Sequence, residues 1–195
     1  MKVIGITGGV GSGKSEVLRL MEEEYGCTVI KTDDVAKQLC EPGEESYQNV
    51  IEAFGEGVLD EDGQIDRARL SEIVFKDESK REILNHCIHP AVYRYVRRRI
   101  AELRMNREFR LVAVEAALVK ELKEVGVCDD IWYISSRPEI RRERLKQSRG
   151  YDDEKIESLF ASQLPEEAFL KECDAVIDNN GALEEVRRQL NLLWS

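Results

Sequence analysis

Residues Gly8-Gly9-Val10-Gly11-Ser12-Gly13-Lys14-Ser15 satisfy the spacing G-x-x-x-x-G-K-[ST]. Chemistry on a polyphosphate needs these types in this order. The glycines let the backbone turn its N–H groups inward around phosphate oxygens, and the helix that follows directs its positive end at them. Lys14 reaches the terminal phosphates and the Ser15 hydroxyl ligates Mg²⁺. The ordinary alternative is a flexible Gly/Ser turn. Against it stand a buried strand before the loop and an amphipathic helix after it, the context the motif requires. The spacing predicts a site for a nucleoside triphosphate.

Phosphoryl transfer to a hydroxyl also needs a group that orients or takes the acceptor proton. Asp33 and Asp34 fall where a second strand ends and a helix begins. They suit that task, and they equally suit helix capping, with Thr32 or Asp33 as N-cap and Asp34 in the first turn. Glu115, at the end of a third strand, is either a water-mediated Mg²⁺ ligand or a polar strand terminus. Arg141, Arg142, Arg144, Lys146 and Arg149 form a basic patch on one helix. Either it brings cations over the triphosphate, for which the planar arginine fork is suited, or it is a solvated face paired with Glu139 and Glu143. The Arg94, Arg97, Arg98, Arg99 run reads as an exposed face. His89 reads as a packed or capping residue, with Pro90 opening the next helix. Asn179, after a fifth strand, reads as part of a turn, or, as similar kinases place that loop, as a residue beside the adenine ring.

The elements that must position these residues follow from the pattern of apolar residues. Val3-Ile4-Gly5-Ile6 has no polar face and reads as a buried strand within Lys2 to Thr7. Val17, Leu20, Met21 and Tyr25 share one helical face, Gly26 closes that helix, and Thr28-Val29-Ile30 starts the second strand. Further strands are expected at Leu111–Val114, Ile131–Ile134 and Ala175–Ile177. Strands alternating with helices predict an α/β fold: a P-loop NTPase-like, parallel five-stranded sheet flanked by helices. The stretch from about Val35 to Arg107 has helical periodicity and no convincing strand. It predicts a helical subdomain, and Pro138 to Cys173 predicts a second helical piece. The expected organisation is one domain over 1–195. Its core covers about 1–34, 108–137 and 174–195, with a helical substrate-binding insertion at about 35–107 and a helical lid at about 138–173.

Composition narrows the partners. With 29 basic and 39 acidic side chains among 195 residues, the formal net charge is −10. That balance argues against a nucleic-acid binder, which needs a basic footprint, and against a membrane-surface role. No apolar run approaches the ~20 residues that span a bilayer. The chain opens into a strand rather than a signal peptide, so a cytoplasmic location is expected. The five cysteines (Cys27, Cys40, Cys87, Cys128, Cys173) include no C-x-x-C pair, and they read as inert thiols in a reducing compartment. No N-K-x-D motif marks a GTPase, and a motor ATPase would be longer. Size and helical insertions favour a small-molecule kinase.

Several pieces, in order, resemble dephospho-coenzyme A kinases. They are the Gly8–Ser15 loop, the Asp33-x-x-Ala36 turn, Asp62-Gly63-Gln64-Ile65-Asp66-Arg67-Ala68-Arg69-Leu70, Ile73-Val74-Phe75, Leu84-Asn85, His89-Pro90 and Val176-Ile177-Asp178-Asn179-Asn180-Gly181. The resemblance implies transfer of the ATP γ-phosphoryl group, with Mg²⁺, to the ribose 3′-hydroxyl of dephospho-coenzyme A. It implies Asp33 and Lys14 as catalytic residues. It implies ATP binding by Gly9, Val10, Gly11, Ser12, Gly13, Lys14, Ser15, Glu16, Arg144, Arg149 and Asn179. On the acceptor side it implies Asp33, Arg67, His89, Leu118 and Glu121, the last two within Ala117-Leu118-Val119-Lys120-Glu121, which resembles the family's Pro-Leu-Leu-Phe-Glu. Ser15 and Glu115 are the implied metal residues. The sequence departs from the pattern at Lys31, where an acidic residue is usual, at Glu16 and Ala117, and at Leu159, where an arginine usually stands four residues before Gln163. Two other readings stay open: a kinase for another nucleotide or small alcohol, and a non-catalytic, nucleotide-gated interaction module.

Overall fold

The computed structural model describes residues 1–106, 110–116, 123 and 126–194. They divide into two compact units, one formed by Met1–Val29 with Asn106–Ser195 and the other by Ile30–Met105.

In the first unit, β1 (Lys2–Thr7) leads through the glycine-rich loop into α1 (Lys14–Tyr25). Then come β2 (Thr28–Lys31), β3 (Leu111–Glu115) and β4 (Asp130–Ser135). The five-stranded sheet has the order β2-β3-β1-β4-β5, with β5 at Ala175–Asp178. Strand β1 pairs in parallel with both β3 and β4, and β4 with β5. The predicted parallel α/β sheet is therefore the one observed.

Strand alternation explains the core. Ile4, Ile6, Leu111, Ala113, Trp132, Ile134 and Ile177 face one way. They pack with Val17, Leu18, Leu20 and Met21 of α1, and with Val186 and Leu190 of α9 (Leu183–Trp194). On the other face Val3, Val112, Val114, Ile131 and Tyr133 are also buried, as a sheet covered on both sides demands. Gly26, in the left-handed region at φ 61°, ends α1 where the sequence predicts.

Trp132 anchors this packing. Its ring meets Trp194 edge-on at 5.6 Å, and Trp194 stacks on Tyr25 at 5.0 Å. Trp132→Ala is expected to destabilise the fold by about 3–5 kcal/mol, the range for deleting a buried aromatic ring. Urea denaturation monitored by circular dichroism checks this.

Burial pushes the Cys27 and Cys128 thiols up to about 12, from an ordinary value of 9.0. Between those values the unfolded chain releases protons that the native state keeps. Stability is therefore full below about pH 9 and falls as pH rises from about 9 to 12. Denaturation midpoints at pH 8 and pH 10 should differ in that direction, and both thiols should resist thiol reagents in the native protein.

Between β4 and β5 lie α6 (Pro138–Arg149), α7 (Asp153–Ala161) and α8 (Glu166–Leu170). Asp152 caps α7 by accepting from the Lys155 N–H at 2.8 Å.

The second unit is helical: α2 (Thr32–Leu39), α3 (Glu45–Phe54), a 3₁₀ turn at Glu56–Val58, α4 (Arg67–Phe75) and α5 (Glu78–Met105). Val50, Val58, Ile65 and Leu70 form its core, with Tyr47, Phe54, Leu84 and Ile88 packed around them. One expectation changes here. Pro90 does not open a helix but lies inside the continuous α5. Proline removes one backbone donor and disfavours such a position. Burial of Ala91, Val92, Val96, Ile100 and Leu103 along the same helix outweighs that local preference. Among the described residues, no helix is long and apolar enough to cross a membrane.

Candidate active site

The glycine-rich loop leaves the C-terminal end of β1, the strand flanked by β3 and β4. Open α/β sheets gather their ligands at that edge. Gly13 sits at the mouth of α1 with φ 85°, a left-handed conformation that only glycine adopts freely. A β-carbon there would also collide with the Asn179 carboxamide.

One carbonyl holds the loop in place. Ser12 O accepts from Asn179 Nδ2 at 2.8 Å, Ser136 Oγ at 3.1 Å and Arg144 Nη1 at 3.1 Å. Three donors draw that carbonyl toward the ends of β4 and β5. The planar trans peptide then turns the Gly13 N–H the opposite way. The Gly13 carbonyl takes up the Glu16 N–H at 3.1 Å, and the positive end of α1 opens at this mouth, which makes it attractive to anions. The Ser12 hydroxyl is buried and has no hydrogen-bond partner among the described residues. A buried polar atom left unmatched is costly unless a ligand completes it.

Lys14 reaches back along the loop, donating from Nζ to Gly8 O at 2.7 Å and Gly9 O at 3.3 Å. Ser15 is exposed in the first turn of α1. Glu16 pairs with Arg19 at 2.5 Å, which holds its carboxyl below the usual range. Glu115 ends β3 in register with Ile6, and the following Ala116 N–H donates to Ile6 O at 3.2 Å, so Glu115 lies beside the strand that carries the loop.

Helix α6 separates the expected arginines. Arg144 is tied by Nη2 to Asn179 O at 2.8 Å and by Nη1 to Ser136 Oγ at 3.0 Å, in addition to Ser12 O. Asn179 is itself buried, and its carbonyl also accepts from Ser136 Oγ at 2.9 Å. Arg149 is exposed at the end of α6, with its guanidinium 5.9 Å from the Tyr151 ring. Arg142 pairs with Asp153 at 3.0 Å and with Glu157. The member of the basic patch that bonds directly to the loop backbone at Val10 is Arg141, which the family resemblance does not pick out. Its Nε donates to Val10 O at 2.8 Å and its Nη2 to Gln163 Oε1 at 2.6 Å. Gln163 Oε1 also accepts from the Val10 N–H at 3.2 Å.

The acceptor-side residues of the helical unit are placed as follows. Asp33 stands exposed in the first turn of α2, whose N-cap is Lys31 with no side-chain cap bond. Asp34 pairs with Lys37 at 3.1 Å. Arg67, which begins α4, donates to Lys37 O at 3.4 Å. His89 lies on α5 with its ring 5.9 Å from Tyr93. Three arginines of the basic run on α5 have partners within their own unit: Arg94 with Glu45, Arg98 over Tyr95, and Arg99 with Glu102 at 3.1 Å. Leu118 and Glu121 lie outside the described residues.

Comparison with known proteins decides which kinase architecture this is. Residues 2–185 match the profile of the Dephospho-CoA kinase family. The chain belongs to the dephospho-CoA kinase family. A relative from Geobacter sulfurreducens, named Dephospho-CoA kinase, is 38% identical over 195 residues, covering 100% of this chain and 98% of that one. One from Carboxydothermus hydrogenoformans with the same name is 37% identical over 190 residues, covering 97% of this chain and 91% of that one. A crystal structure from Thermus thermophilus superposes with a TM-score of 0.80 at 30% identity, covering 99% of this chain and 96% of that one.

Family membership makes the chain a kinase and gives the phosphate loop its donor, ATP. It does not by itself explain the local wiring seen in this dephospho-CoA kinase family member. A signal for Arg141 does exist in the sequence. Arg141, Arg144 and Leu145 are spaced i, i+3 and i+4, which puts them on one helical face. Leu145 is buried, so that face turns inward and carries both arginines to the loop. The partner Gln163 is 22 residues away, and the sequence marks it through the family's pattern rather than through any spacing from Arg141.

Proposed function

We propose that this protein transfers the γ-phosphoryl group of ATP to the ribose 3′-hydroxyl of dephospho-coenzyme A, giving coenzyme A and ADP. The observation that carries this reading is the family match over residues 2–185. The folded phosphate loop supports its donor half.

Mg²⁺ fits the donor set. Among the described residues there is no cluster of three or more His, Cys, Asp or Glu side chains that could cage an ion. Mg²⁺ does not need one, because it keeps several waters and is held largely by substrate phosphates. The Ser15 hydroxyl would ligate it directly and Glu115 through water. When bound with the nucleotide, the ion neutralises charge on the β- and γ-phosphates.

The chain's own groups supply the rest. Backbone N–H groups from Gly9 to Ser15, with Glu16 following on the same turn, hold the phosphates. Lys14 stabilises charge on the transferred group as the bond from the γ-phosphorus to the bridging oxygen breaks. Asp33 aligns the acceptor hydroxyl and takes its proton as the new ester bond forms. Arg144 and Asn179 serve the nucleotide side, and Arg149 closes over the phosphates from a lid formed by about residues 138–173. Arg67, His89, Leu118 and Glu121 serve the acceptor, largely from the helical insertion at about 35–107.

The test is coupled ADP release with a panel of acceptors: dephospho-coenzyme A, adenosine, shikimate and a simple diol. Strong stimulation by dephospho-coenzyme A alone supports the reading. Stimulation by another member of the panel would assign a different acceptor, and ATP binding without any stimulation would favour a nucleotide-gated module.

A further inference from the structure

Arg141 is a half-buried cation on α6 with an incomplete set of partners among the described residues, whereas Arg149, which also lacks an ion pair there, is exposed. Arg142 and Lys146 are neutralised by Asp153 and Glu157. Arg144 is tied by three hydrogen bonds to two carbonyls and a hydroxyl. Arg141 has no carboxylate within ion-pair distance among the described residues, and Glu166 acts on it only through a weaker, longer-range field. Yet it is half-buried, and burial works against its charge. Guanidinium carries five N–H donors; here Nε and Nη2 donate to uncharged oxygens, and Nη1 makes no hydrogen bond among the described residues.

Its placement is specific. A β-carbon on Gly9 would stand 2.5 Å from Arg141 Cζ, 2.6 Å from Nη2 and 2.8 Å from Nη1. Such similar distances mean that the guanidinium lies flat against the Gly9 backbone. The Phe160 ring supports it, 4.4 Å from Cζ to centroid. A cation held there without a counter-anion pays a desolvation penalty that an arriving phosphate would offset. Gln163 Oε1 meanwhile sits between a loop N–H and a guanidinium N–H, the pair of donors that suits an anionic oxygen.

We propose that Arg141 contacts the phosphates of the bound nucleotide, and that Gln163 is the positioning residue whose amide oxygen holds the phosphate-oxygen place until the nucleotide takes it. This inference rests on the donor half of the proposed function and not on the identity of the acceptor.

Calorimetric titration with Mg²⁺-ADP and with a Mg²⁺-loaded non-hydrolysable ATP analogue tests it without any acceptor. Arg141→Gln is expected to weaken both by about 10-fold or more, the scale of a lost charge-assisted bond. Arg141→Lys should recover part of the loss. Wild-type affinity should fall more steeply with KCl than that of Arg141→Gln. Gln163→Glu, which gives Arg141 a built-in anion, should also weaken binding. Unliganded melting temperatures identify any variant that fails to fold, and the remaining two then decide. Affinity of Arg141→Gln within about 2-fold of wild type would overturn the proposal. So would equal losses in Arg141→Lys and Arg141→Gln with unchanged salt dependence, which would indicate packing alone. Wild-type protein that binds neither nucleotide would overturn this inference and the donor reading together, whereas normal nucleotide binding without turnover on dephospho-coenzyme A would leave this inference standing.

Discussion

Asp33→Asn is expected to lower kcat for phosphoryl transfer at least ~10²-fold, the scale of losing a general base. ATP affinity should stay within about 3-fold of wild type. The substitution keeps shape and hydrogen-bonding capacity and removes only the charge and the ability to take a proton. The structure sharpens the contrast with a purely local role. Lys31 occupies the N-cap of α2 with no side-chain cap bond, and Asp33 is an exposed first-turn residue. Its contribution to stability is then limited to the helix dipole, about 0.3–1 kcal/mol. A large loss of kcat with an almost unchanged melting temperature is the expected combination. Near-normal kcat with a small loss of stability would return Asp33 to the role of a helix-terminal carboxylate.

Lys14→Met carries the second large effect. The Lys14 ammonium rests on the Gly8 and Gly9 carbonyls, 2.7 Å and 3.3 Å away, and so is already held at the phosphate loop. Methionine retains the length of the side chain without the charge. Loss of a preorganised donor at developing negative charge costs on the order of 10²–10³ in kcat. Steady-state kinetics should show that fall, with a raised KM for ATP beside it. Restoring a cation as arginine should rescue poorly, because a planar fork does not replace a compact ammonium in a tight loop. A kcat for Lys14→Met within a few-fold of wild type would remove Lys14 from the catalytic account.

The sequence made the sheet and loop legible because both depend on local pattern. Buried parallel strands read as short apolar runs, and the phosphate loop places its glycines, lysine and serine at fixed spacing. The order β2-β3-β1-β4-β5 was not readable in this way, since it depends on pairings between strands far apart in the chain. Pro90 misleads because proline preference is local, whereas the continuity of α5 comes from apolar residues packed along its length. The capping reading of Thr32 and Asp33 fails for a related reason. Strand β2 ends at Lys31 and α2 begins at Thr32, so no residue remains between them to serve as a side-chain cap. Arg144 and Asn179 were both picked out from the sequence. Their joint hold on the Ser12 carbonyl was not, because its members come from three separate segments of the chain. The same holds for Arg141, Gln163 and Val10.

The central claim is a transfer from one named oxygen to another, and isotope transfer tests it most directly. The protein would be incubated with Mg²⁺, ATP labelled in the γ-phosphoryl group and dephospho-coenzyme A, and the product separated and located by mass spectrometry and phosphorus NMR. The account predicts label in a phosphate monoester at the ribose 3′ position, with one ADP formed per ester. Label found only in inorganic phosphate, or in an ester elsewhere on the acceptor, would contradict it.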